Sequence, residues 1–259
     1  MSRLRARCPD CRTLTAVAVG EGYECHACGR TFRAGVVRVP TAWGEGGEPM
    51  VDAAFLPLPY PESEIVREET LSEQNLALAA ALPERPLVLG GCCCAHVGAV
   101  EGLAARHERL ALVWFDAHGD LNTPETSPSG NAWGMPLRML LDARTVAHED
   151  VALVGARDLD EPEEEFIAAT GLPLDAAGVD TAIQGADAVY VALDVDVLDP
   201  NEGVVPYMPT PGGLTSEETI ALLERIAATS PVAGVGVTGL TGAPKNADAV
   251  ARFSRALGL

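Results

Sequence analysis

The sequence predicts an α/β fold in which a mostly parallel β-sheet is covered by helices on both faces. The first observation is that short apolar runs alternate with segments of helical composition and length from residue 35 onward. The second is that several of these runs contain no polar residue, as expected for strands that are buried on both faces. The third is that two runs are followed by acidic residues, and sites in such sheets lie at the carboxyl ends of the strands.

Each element follows from its local composition. Apolar runs predict strands at 36–39, 87–89, 110–115, 151–155, 188–195 and 232–237. Helix-forming segments between them predict helices at 71–82, 95–106, 136–141, 162–169, 216–228 and 247–257. Thr70 or Ser72 can cap the first of these helices, and Glu217 and Glu218 suit the first turn of the fifth. Residues 40–49 predict a glycine-rich loop, and residues 50–70 a proline-rich irregular stretch.

Composition sets the class of protein. A chain of 259 residues with 47% hydrophobic and 21% charged residues is globular and can form one large domain with a small addition. The net charge of −19 argues against nucleic acid or an anionic membrane as the main partner. The sequence contains neither a signal-peptide pattern nor an apolar run that could span a membrane, so we expect a cytoplasmic protein without a membrane partner.

The N-terminal segment has a metal-binding pattern of its own. Cys8 and Cys11 form one C-x-x-C pair, and Cys25 and Cys28 form a second one after a short hairpin. Two such pairs fit one tetrahedral sulfur site better than a redox pair, and the metal replaces the core that so short a segment lacks. We therefore predict a zinc ribbon at residues 1–34 with structural zinc, and an α/β domain at 35–259. The ribbon could bind nucleic acid, bind protein or add stability, and the sequence does not choose between these roles.

The stretch after the 110–115 strand carries three polar residues with strand spacing. Asp116, His118 and Asp120 stand at i, i+2 and i+4, which puts their side chains on one face of an extended chain. Two carboxylates and an imidazole suit a hard or borderline divalent metal. The alternative is a solvated acidic loop.

A second strand end favours the metal site over the loop. Asp194 and Asp196 end the 188–195 run, and Asp199-Pro200 closes a turn after them. Two buried strands that both end in carboxylates would repel each other unless cations lie between them. Four carboxylates and one imidazole are enough for two metal ions with shared ligands, an arrangement that activates water.

These motifs together resemble the arginase/agmatinase (ureohydrolase) family over residues 35–259. They are Gly90-Gly91, the segment 116–124, Ser129-Gly130-Asn131, the segment 194–200 and the segment 212–215. The resemblance implies a three-layer α/β/α sandwich, commonly assembled into a homo-oligomer, that hydrolyses guanidino or amidine C–N bonds of a small molecule with two manganese ions and a bridging hydroxide. It also implies that Asp116, His118, Asp120, Asp194 and Asp196 are five of six metal ligands, and that Asp120 could accept the proton of the water.

The sixth ligand position departs from the family. The family has Asp-His after Gly-Gly, and this chain has Cys92 and Cys93 there, so the resemblance makes Cys93 the ligand. A thiolate binds zinc or iron better than manganese, which leaves zinc and iron open as the metals. His96 lies one helical turn from Cys93 and could replace it, but position and loop length favour Cys93. Cys94 is expected to be a small buried side chain.

Two further departures affect the reaction and the substrate. Trp133 stands where the family has a histidine that acts as proton shuttle or substrate contact. We count Trp133 among the catalytic residues, but an indole cannot transfer protons at neutral pH. We therefore expect it to stack on a flat or cationic group of the substrate or to narrow the pocket. Gly239 stands where the family has the glutamate that binds the guanidinium, and ordinary arginase activity is therefore not expected. By resemblance the substrate contacts are Asn122, Ser127, Ser129, Asn131, Asp160 and Glu163, although the last two could simply be helix N-terminal acids.

The leading hypothesis is a ureohydrolase-type C–N hydrolase with an altered substrate, which could be a guanidino, amidine or amide compound. The alternative is a catalytically idle protein of the same fold that binds metal or a ligand, with the ribbon docking a partner. A third hypothesis, nucleic-acid binding through the ribbon, requires salt-sensitive binding that disappears without residues 1–34.

Overall fold

A computed structural model describes residues 4–259, so the first three residues of the expected ribbon lie outside the described part. Its N-terminal segment is a small antiparallel sheet with the strand order β1-β2-β3-β4. The strands are β1 (Arg5–Ala6), β2 (Ala16–Val19), β3 (Gly22–Cys25) and β4 (Thr31–Phe32). Cys25 pairs with Ala16 at the end of the hairpin. The two C-x-x-C turns follow β1 and β3, and this brings the four cysteines together.

The larger sheet is parallel throughout and has the strand order β6-β5-β7-β11-β10-β8-β9 among residues 4–259. The strands are β5 (Gly35–Val39), β6 (Glu62–Ile65), β7 (Pro86–Gly90), β8 (Leu110–Phe115), β9 (Val151–Val154), β10 (Ala188–Asp194) and β11 (Val232–Thr238). Strands β8 and β10 are neighbours, so the two acidic strand ends lie side by side.

Helices cover both faces of this sheet. They are α1 (Glu48–Ala53), α2 (Leu71–Ala81), α3 (Ala95–Ala104), α4 (Pro136–Asp142), α5 (Glu161–Thr170), α6 (Ala176–Ile183), α7 (Ser216–Thr229) and α8 (Asn246–Ala256). In β8, Val113 and Phe115 pack in the core that contains α6, α7 and α8, whereas Leu112 and Trp114 pack in the core that contains α2, α3 and α4. The α/β/α sandwich predicted from the sequence is therefore confirmed.

The prediction of an irregular stretch at 50–70 was wrong, and a further helix, α6, was missed between the predicted helix at 162–169 and the predicted strand at 188–195. The structure has helix α1 and strand β6 there. Strand β6 reads Glu-Ser-Glu-Ile and pairs only with β5 within the sheet, so as an edge strand it needs no apolar run. Helix α6 was hidden by Gly178, which lies against Pro173 where a Cβ atom would clash. Asp175 caps that helix by accepting hydrogen bonds from the backbone N–H groups of Ala177 and Gly178.

The small sheet docks on the edge of the large one. The backbone N–H of Arg7 donates to the carbonyl of Glu62 at 2.7 Å, and the N–H of Glu62 donates to the carbonyl of Arg7 at 3.0 Å. The buried ring of Tyr23 packs against Gly35, at the start of β5. The ribbon segment thus lies at the amino ends of the strands, and the acidic motifs lie at the carboxyl ends. Within residues 4–259, no helix is long and apolar enough to cross a membrane.

Candidate metal centre

The pairing of β8 with β10 brings the two acidic motifs together. Phe115 is opposite Leu193 in the parallel register, so Asp116 and Asp194 leave the sheet next to each other. Asp116 and Asp194 are only 1% and 4% exposed, and Asp120 and Asp196 are only 3% and 4% exposed. Because buried carboxylates are costly unless they are paired or bind a cation, this burial already points to a metal site.

His118 lies between the two motifs. Its Nδ1 atom is 3.3 Å from Asp116 Oδ1 and 3.1 Å from Asp196 Oδ2. Asp120 lies on the other side of Asp116 in a left-handed backbone conformation, with φ of 52°. Its Oδ2 atom is buried and has no hydrogen-bond partner among the described residues. A buried oxygen without a donor is the kind of atom that a cation would satisfy.

The ligand atoms form two groups that share one residue. Cys93, Asp116 and Asp120 form one group in which the donor atoms all lie within 4.8 Å of one another. Asp116, His118 and Asp196 form the second group within the same limit. Asp194 adjoins the first group, because the thiol of Cys93 donates to its Oδ2 atom at 2.9 Å. Asp116 belongs to both groups, so these residues would hold two cations, one at each group.

The pKa values of these side chains are shifted in the direction that reduces negative charge in the site. Burial and the charge of Asp196 raise the pKa of Asp194 to about 7, and burial and the charge of Asp116 raise the pKa of Asp196 to about 6. Burial and the charge of Asp116 also hold the pKa of Asp120 well above its usual value. Burial opposes a charge on His118, but hydrogen bonds to Asp116 and Asp196 outweigh it and raise the His118 pKa to about 12. Divalent cations would relieve this repulsion and replace the proton on the imidazole.

The three consecutive cysteines have different surroundings. Cys93 faces the acidic cluster, and burial together with the charges of Asp194 and Asp120 raises the pKa of its thiol. Cys92 instead lies near the carbonyl of Thr41 and the N–H of Trp43. Cys94 is fully buried at the start of α3, as the sequence suggested for this residue.

His96 does not reach the cluster. Its ring is fully buried, with Nδ1 at 3.1 Å from the hydroxyl of Tyr190 and Nε2 at 3.0 Å from the hydroxyl of Thr238. Burial lowers the His96 pKa to about 3, so the ring is neutral. Of the two candidates for the sixth metal ligand, Cys93 lies next to the other ligands and His96 does not.

A cavity of about 260 Å³ opens above the cluster. Its lining includes Met50, Trp133, Tyr207 and Met208, with the Trp133 and Tyr207 rings edge to face at 6.2 Å. The carboxylates of Asp158 and Asp160 also line it. No periodic pattern or spacing in the sequence indicates Met50, Tyr207 and Met208, because they come from loops and a short helix that converge only in the fold.

Five of the six residues predicted as substrate contacts line this cavity: Asn122, Ser127, Ser129, Asp160 and Glu163. The sixth, Asn131, is absent from the lining and uses its side-chain carbonyl to accept the backbone N–H of Glu45 at 2.9 Å.

Glu163 is mainly occupied by backbone donors. Its two carboxylate oxygens accept the N–H groups of Leu121 at 2.9 Å and Asp160 at 3.0 Å. Asp160 and Glu163 also form a capping box at the start of α5, so both are helix N-terminal acids as well as cavity residues. Asn122 donates to the Asp160 carboxylate at 2.8 Å, which joins the loop after β8 to this helix.

Gly239 closes the floor of the cavity without a side chain. Its φ is +67°, and a Cβ atom there would clash with the Asp194 carboxylate. Its carbonyl accepts the N–H of Tyr207 at 2.7 Å. The position after β11 where the resemblance predicts the guanidinium-binding glutamate is therefore a glycine without a side chain.

Known proteins resemble this chain in sequence and in structure. The sequence profile of the Arginase family matches residues 47–249. The arginase of Bacillus caldovelox is 35% identical over 198 residues, which cover 64% of this chain and 66% of the relative, just under two thirds of its length. The arginase of Bacillus subtilis (strain 168) is 33% identical over 206 residues, which cover 65% of this chain and 70% of the relative.

The solved structure of the Bacillus caldovelox arginase aligns with a TM-score of 0.73 at 26% identity, and the alignment covers 86% of this chain and 97% of that one. The profile match extends over most of the chain and includes both acidic motifs and the segment from Gly90 to Cys94. The chain belongs to the arginase family.

Proposed function

We propose that this protein is a metal-dependent hydrolase that cleaves a linear C–N bond of a guanidino, amidine or amide substrate. The observation that carries the proposal is the pair of ligand groups that share Asp116 beneath a small-molecule cavity. Family membership supports it, because the region that matches the Arginase family, residues 47–249, contains both acidic motifs.

The residues present fit two divalent cations. Cys93, Asp116, Asp120 and Asp194 would hold one cation, and Asp116, His118 and Asp196 would hold the other. The unpartnered Oδ2 atom of Asp120 and the raised pKa values of Asp194 and Asp196 support this assignment. Manganese is the metal that the family resemblance implies, and Cys93 leaves zinc and iron open. Such cations supply hydroxide at neutral pH by lowering the pKa of water.

The chain's own side chains then have separate tasks. Asp120 would take the proton from the attacking water with the carboxylate oxygen that does not face the cation. Trp133 would cover the planar carbon group and exclude bulk water. The distal end of the substrate would contact Asn122, Ser127, Ser129, Asp158 and Asp160. The carboxylates of Asp158 and Asp160 suit an amino group there. Asn131 would act indirectly, by holding the loop at Glu45.

The substrate should differ from arginine at the reacting end. Gly239 offers no carboxylate to a guanidinium, and its position against Asp194 leaves no room for one. A buried guanidinium without an anionic partner loses a charge-assisted contact worth about 1.5–3 kcal/mol. An amide keeps a planar C–N centre but is neutral, so it loses no such contact and suits the site better than arginine.

We also propose that residues 1–34 form a zinc ribbon as a unit separate from residues 35–259. Cys8 Sγ is 3.9 Å from Cys28 Sγ, and Cys25 Sγ is 3.8 Å from Cys11 Sγ. A tetrahedron with Zn–S bonds of about 2.3 Å has sulfur–sulfur edges of about 3.8 Å, which matches. Hydrogen bonds, above all from Thr15, lower the pKa of Cys25 to about 6 and favour a thiolate there.

The test of the hydrolase proposal is an assay of purified protein with manganese, zinc or iron against a panel of guanidino, amidine and amide compounds. We expect Asp116→Ala and Asp194→Ala to lower any activity by at least about 100-fold. Asp142→Ala is the matched control, because Asp142 is exposed and pairs with Arg138 on the surface. Full activity in the two variants of the centre would mean that hydrolysis occurs elsewhere.

A ligand-binding protein without catalysis is the second candidate, favoured by Trp133 and Gly239 in place of reactive side chains. It requires bound metal without turnover on the whole panel. The homo-oligomer and the cytoplasmic location expected from the sequence stay predictions, which sedimentation equilibrium and cell fractionation can test.

A further inference from the structure

We propose that the two cation positions of this centre are chemically unequal, and that the position bounded by Cys93 prefers a thiophilic divalent cation, Zn²⁺ or Fe²⁺, over Mn²⁺. The proposal rests on the proposed function only in requiring that cations bind at this cluster. It goes further by assigning different metals to the two halves.

The sulfur of Cys93 is placed as a ligand atom in one half of the cluster. It lies in the group with Asp116 and Asp120, and its thiol donates to Asp194 Oδ2 at 2.9 Å. A cation that displaced this thiol proton would gain a thiolate and three carboxylates as possible ligands. Thiolates favour zinc and iron over manganese, which is best served by oxygen ligands and imidazole.

The other half contains no sulfur among the described residues. Its ligand group consists of Asp116, His118 and Asp196, two carboxylates and one imidazole. Cys92, the next residue to Cys93, uses its sulfur for contacts with the backbone of Thr41 and Trp43. The soft ligand is therefore confined to one side of Asp116, and a hard or borderline cation such as Mn²⁺ suits the other side.

A buried hydrogen-bond chain leads to the Cys93 sulfur. The Tyr190 hydroxyl can donate to Nδ1 of His96 at 3.1 Å, and Nε2–H of His96 can donate to the Thr238 hydroxyl oxygen at 3.0 Å. The Thr238 hydroxyl hydrogen is then free to point at Asp194 Oδ2, 3.2 Å away, or at Cys93 Sγ, 3.5 Å away. All donors in this order point toward the cluster, so the chain stabilises negative charge on the carboxylate and on a thiolate.

Gly236 on β11 makes room for this chain. A Cβ atom there would lie 2.5 Å from His96 Nδ1 and would clash with the Tyr190 hydroxyl. The His96 ring is neutral, so it adds no positive charge that would repel the cations. It contributes only a hydrogen bond to Thr238. We therefore assign His96, Thr238 and Tyr190 as positioning residues for Cys93 and Asp194. They do not contact the substrate cavity, since none of the three lines it.

Co²⁺ is the probe for the sulfur ligand, because a Co²⁺–thiolate bond gives a near-ultraviolet charge-transfer band that oxygen and nitrogen ligands do not give. Full-length protein with zinc in the ribbon is titrated with Co²⁺ under argon and compared with Cys93→Ser at equal ribbon occupancy. The difference spectrum cancels any contribution of the ribbon cysteines. We expect the band in the unmodified chain and in the matched control Cys94→Ser, and its loss in Cys93→Ser.

Competition between metals tests the preference itself. The protein is incubated with equal concentrations of Mn²⁺ and Zn²⁺, desalted and measured by elemental analysis. Because Zn²⁺ outcompetes Mn²⁺ for most ligand sets, the readout is how far each substitution changes the Zn²⁺/Mn²⁺ ratio beyond the ribbon zinc. We expect Cys93→His to lower this ratio by about ten-fold and Asp196→Ala not to lower it. Thr238→Val and His96→Gln should keep the band but weaken Co²⁺ binding by about 10–100-fold. Unchanged affinity in both would remove their positioning role.

The outcomes separate this inference from the hydrolase proposal. If Co²⁺ binds at the centre without a sulfur band, or the band persists in Cys93→Ser, the unequal positions are disproved while turnover with Mn²⁺ would still support hydrolysis. If neither Co²⁺ nor Mn²⁺ binds beyond the ribbon, both proposals are wrong. A hydrolase that is inactive with every substrate but shows the Cys93-dependent band would sustain the metal assignment alone.

Discussion

At the scale of single residues, Asp194 is a proposed metal ligand whose buried charge lowers the stability of the folded protein when no cation is bound. Its carboxylate is buried next to Asp196, Cys93 and Thr238, and burial with the charge of Asp196 raises its pKa to about 7. An acid whose pKa is higher in the folded than in the unfolded state destabilises the protein as the pH rises above the unfolded value of about 4. Without cations, the folded protein therefore carries a penalty at neutral pH.

We predict that Asp194→Asn stabilises the protein when cations are absent from the centre, by about 1–3 kcal/mol near neutral pH. The amide keeps an acceptor for the N–H of Asp196, and its NH₂ can donate to the hydroxyl of Thr238. Urea unfolding of protein with zinc only in the ribbon measures the effect, and Asp142→Asn serves as the surface control. The same variant should lose metal binding at the centre. A destabilised variant would show that the Asp194 charge is already compensated by the protein.

His96 gives a prediction about pH. Its folded pKa of about 3 lies below the unfolded value of about 6.5, so between these values only the unfolded chain binds the proton. The stability contributed by a neutral His96 is complete above about pH 6.5 and is lost as the pH falls toward 3. From pH 7 to pH 5 this loss amounts to about 2 kcal/mol. In His96→Gln this part of the pH dependence should disappear, whatever the variant's absolute stability, as urea unfolding at several pH values would show. Parallel pH curves for the two chains would contradict the neutral, buried ring.

The sequence alone does not decide whether Cys93 or His96 lies at the ligand cluster. Spacing placed both residues near the ligand cluster, on consecutive turns of the same segment. What decides between them is Gly236 on another strand, which leaves a space that His96 and the Tyr190 hydroxyl fill. No local pattern carries that information, because it depends on which glycine of β11 faces which side chain of α3.

At the scale of elements, the loop after β8 is held in place by α5. Glu163 accepts the N–H of Leu121 from that loop and the N–H of Asp160 from its own helix. We predict that Glu163→Gln costs about 1–3 kcal/mol, because one of its two carboxylate oxygens becomes a donor facing another donor. The variant should raise KM more than it lowers kcat, since the loop carries Asn122 and Ser127 of the cavity but the ligands remain.

Glu164→Gln is the matched control, because Glu164 is the next residue of α5 and is exposed. Unfolding free energy, KM and metal content are measured for both variants with whichever substrate the panel identifies. An equal fall in kcat and metal content in Glu163→Gln would place Glu163 in the centre itself and contradict a positioning role.

The elements that the sequence predicted well are those with a strong local signal. Strand β8 (Leu110–Phe115) has the predicted bounds, and helix α2 differs by one residue, because an apolar run and a capped alanine-rich segment each specify one structure. Strand β6 and helix α6 escaped prediction because an edge strand tolerates polar residues and a helical glycine can be required by packing. The acidic strand ends were predicted because the topology of parallel sheets places them, whereas the apolar part of the cavity lining depends on loop packing.

At the scale of the whole molecule, the two metal-binding segments lie at opposite ends of one sheet. The ribbon contacts the amino ends of β5 and β6 through Arg7, Tyr23 and Glu62, and the acidic cluster lies past the carboxyl ends of β8 and β10. The sequence predicted each segment separately but not their arrangement. The two segments are joined by two backbone hydrogen bonds and one buried tyrosine, and backbone hydrogen bonds leave no pattern in the sequence. Among the described residues, the ribbon segment pairs with the edge strand β6 only at Glu62, the first residue of that strand, and adds no group to the cavity.

We therefore predict that loss of the ribbon zinc destabilises the protein without changing the chemistry of the centre. Cys25→Ser removes one thiolate of the four-sulfur site, and structural zinc contributes directly to the folding free energy of such small segments. Thermal unfolding should begin at a lower temperature, and hydrogen exchange should increase in β1 to β4 and at the exposed edge of β6. The matched control is Ala27→Ser, a change on the same turn at an exposed residue that is not among the four cysteines. Because β5, β8 and β10 are fully buried between the two ends, kcat and the metal content of the acidic cluster should stay within about two-fold of the unmodified protein. A fall of kcat in proportion to ribbon zinc would instead mean that the two ends of the sheet are coupled, and that the ribbon regulates the centre.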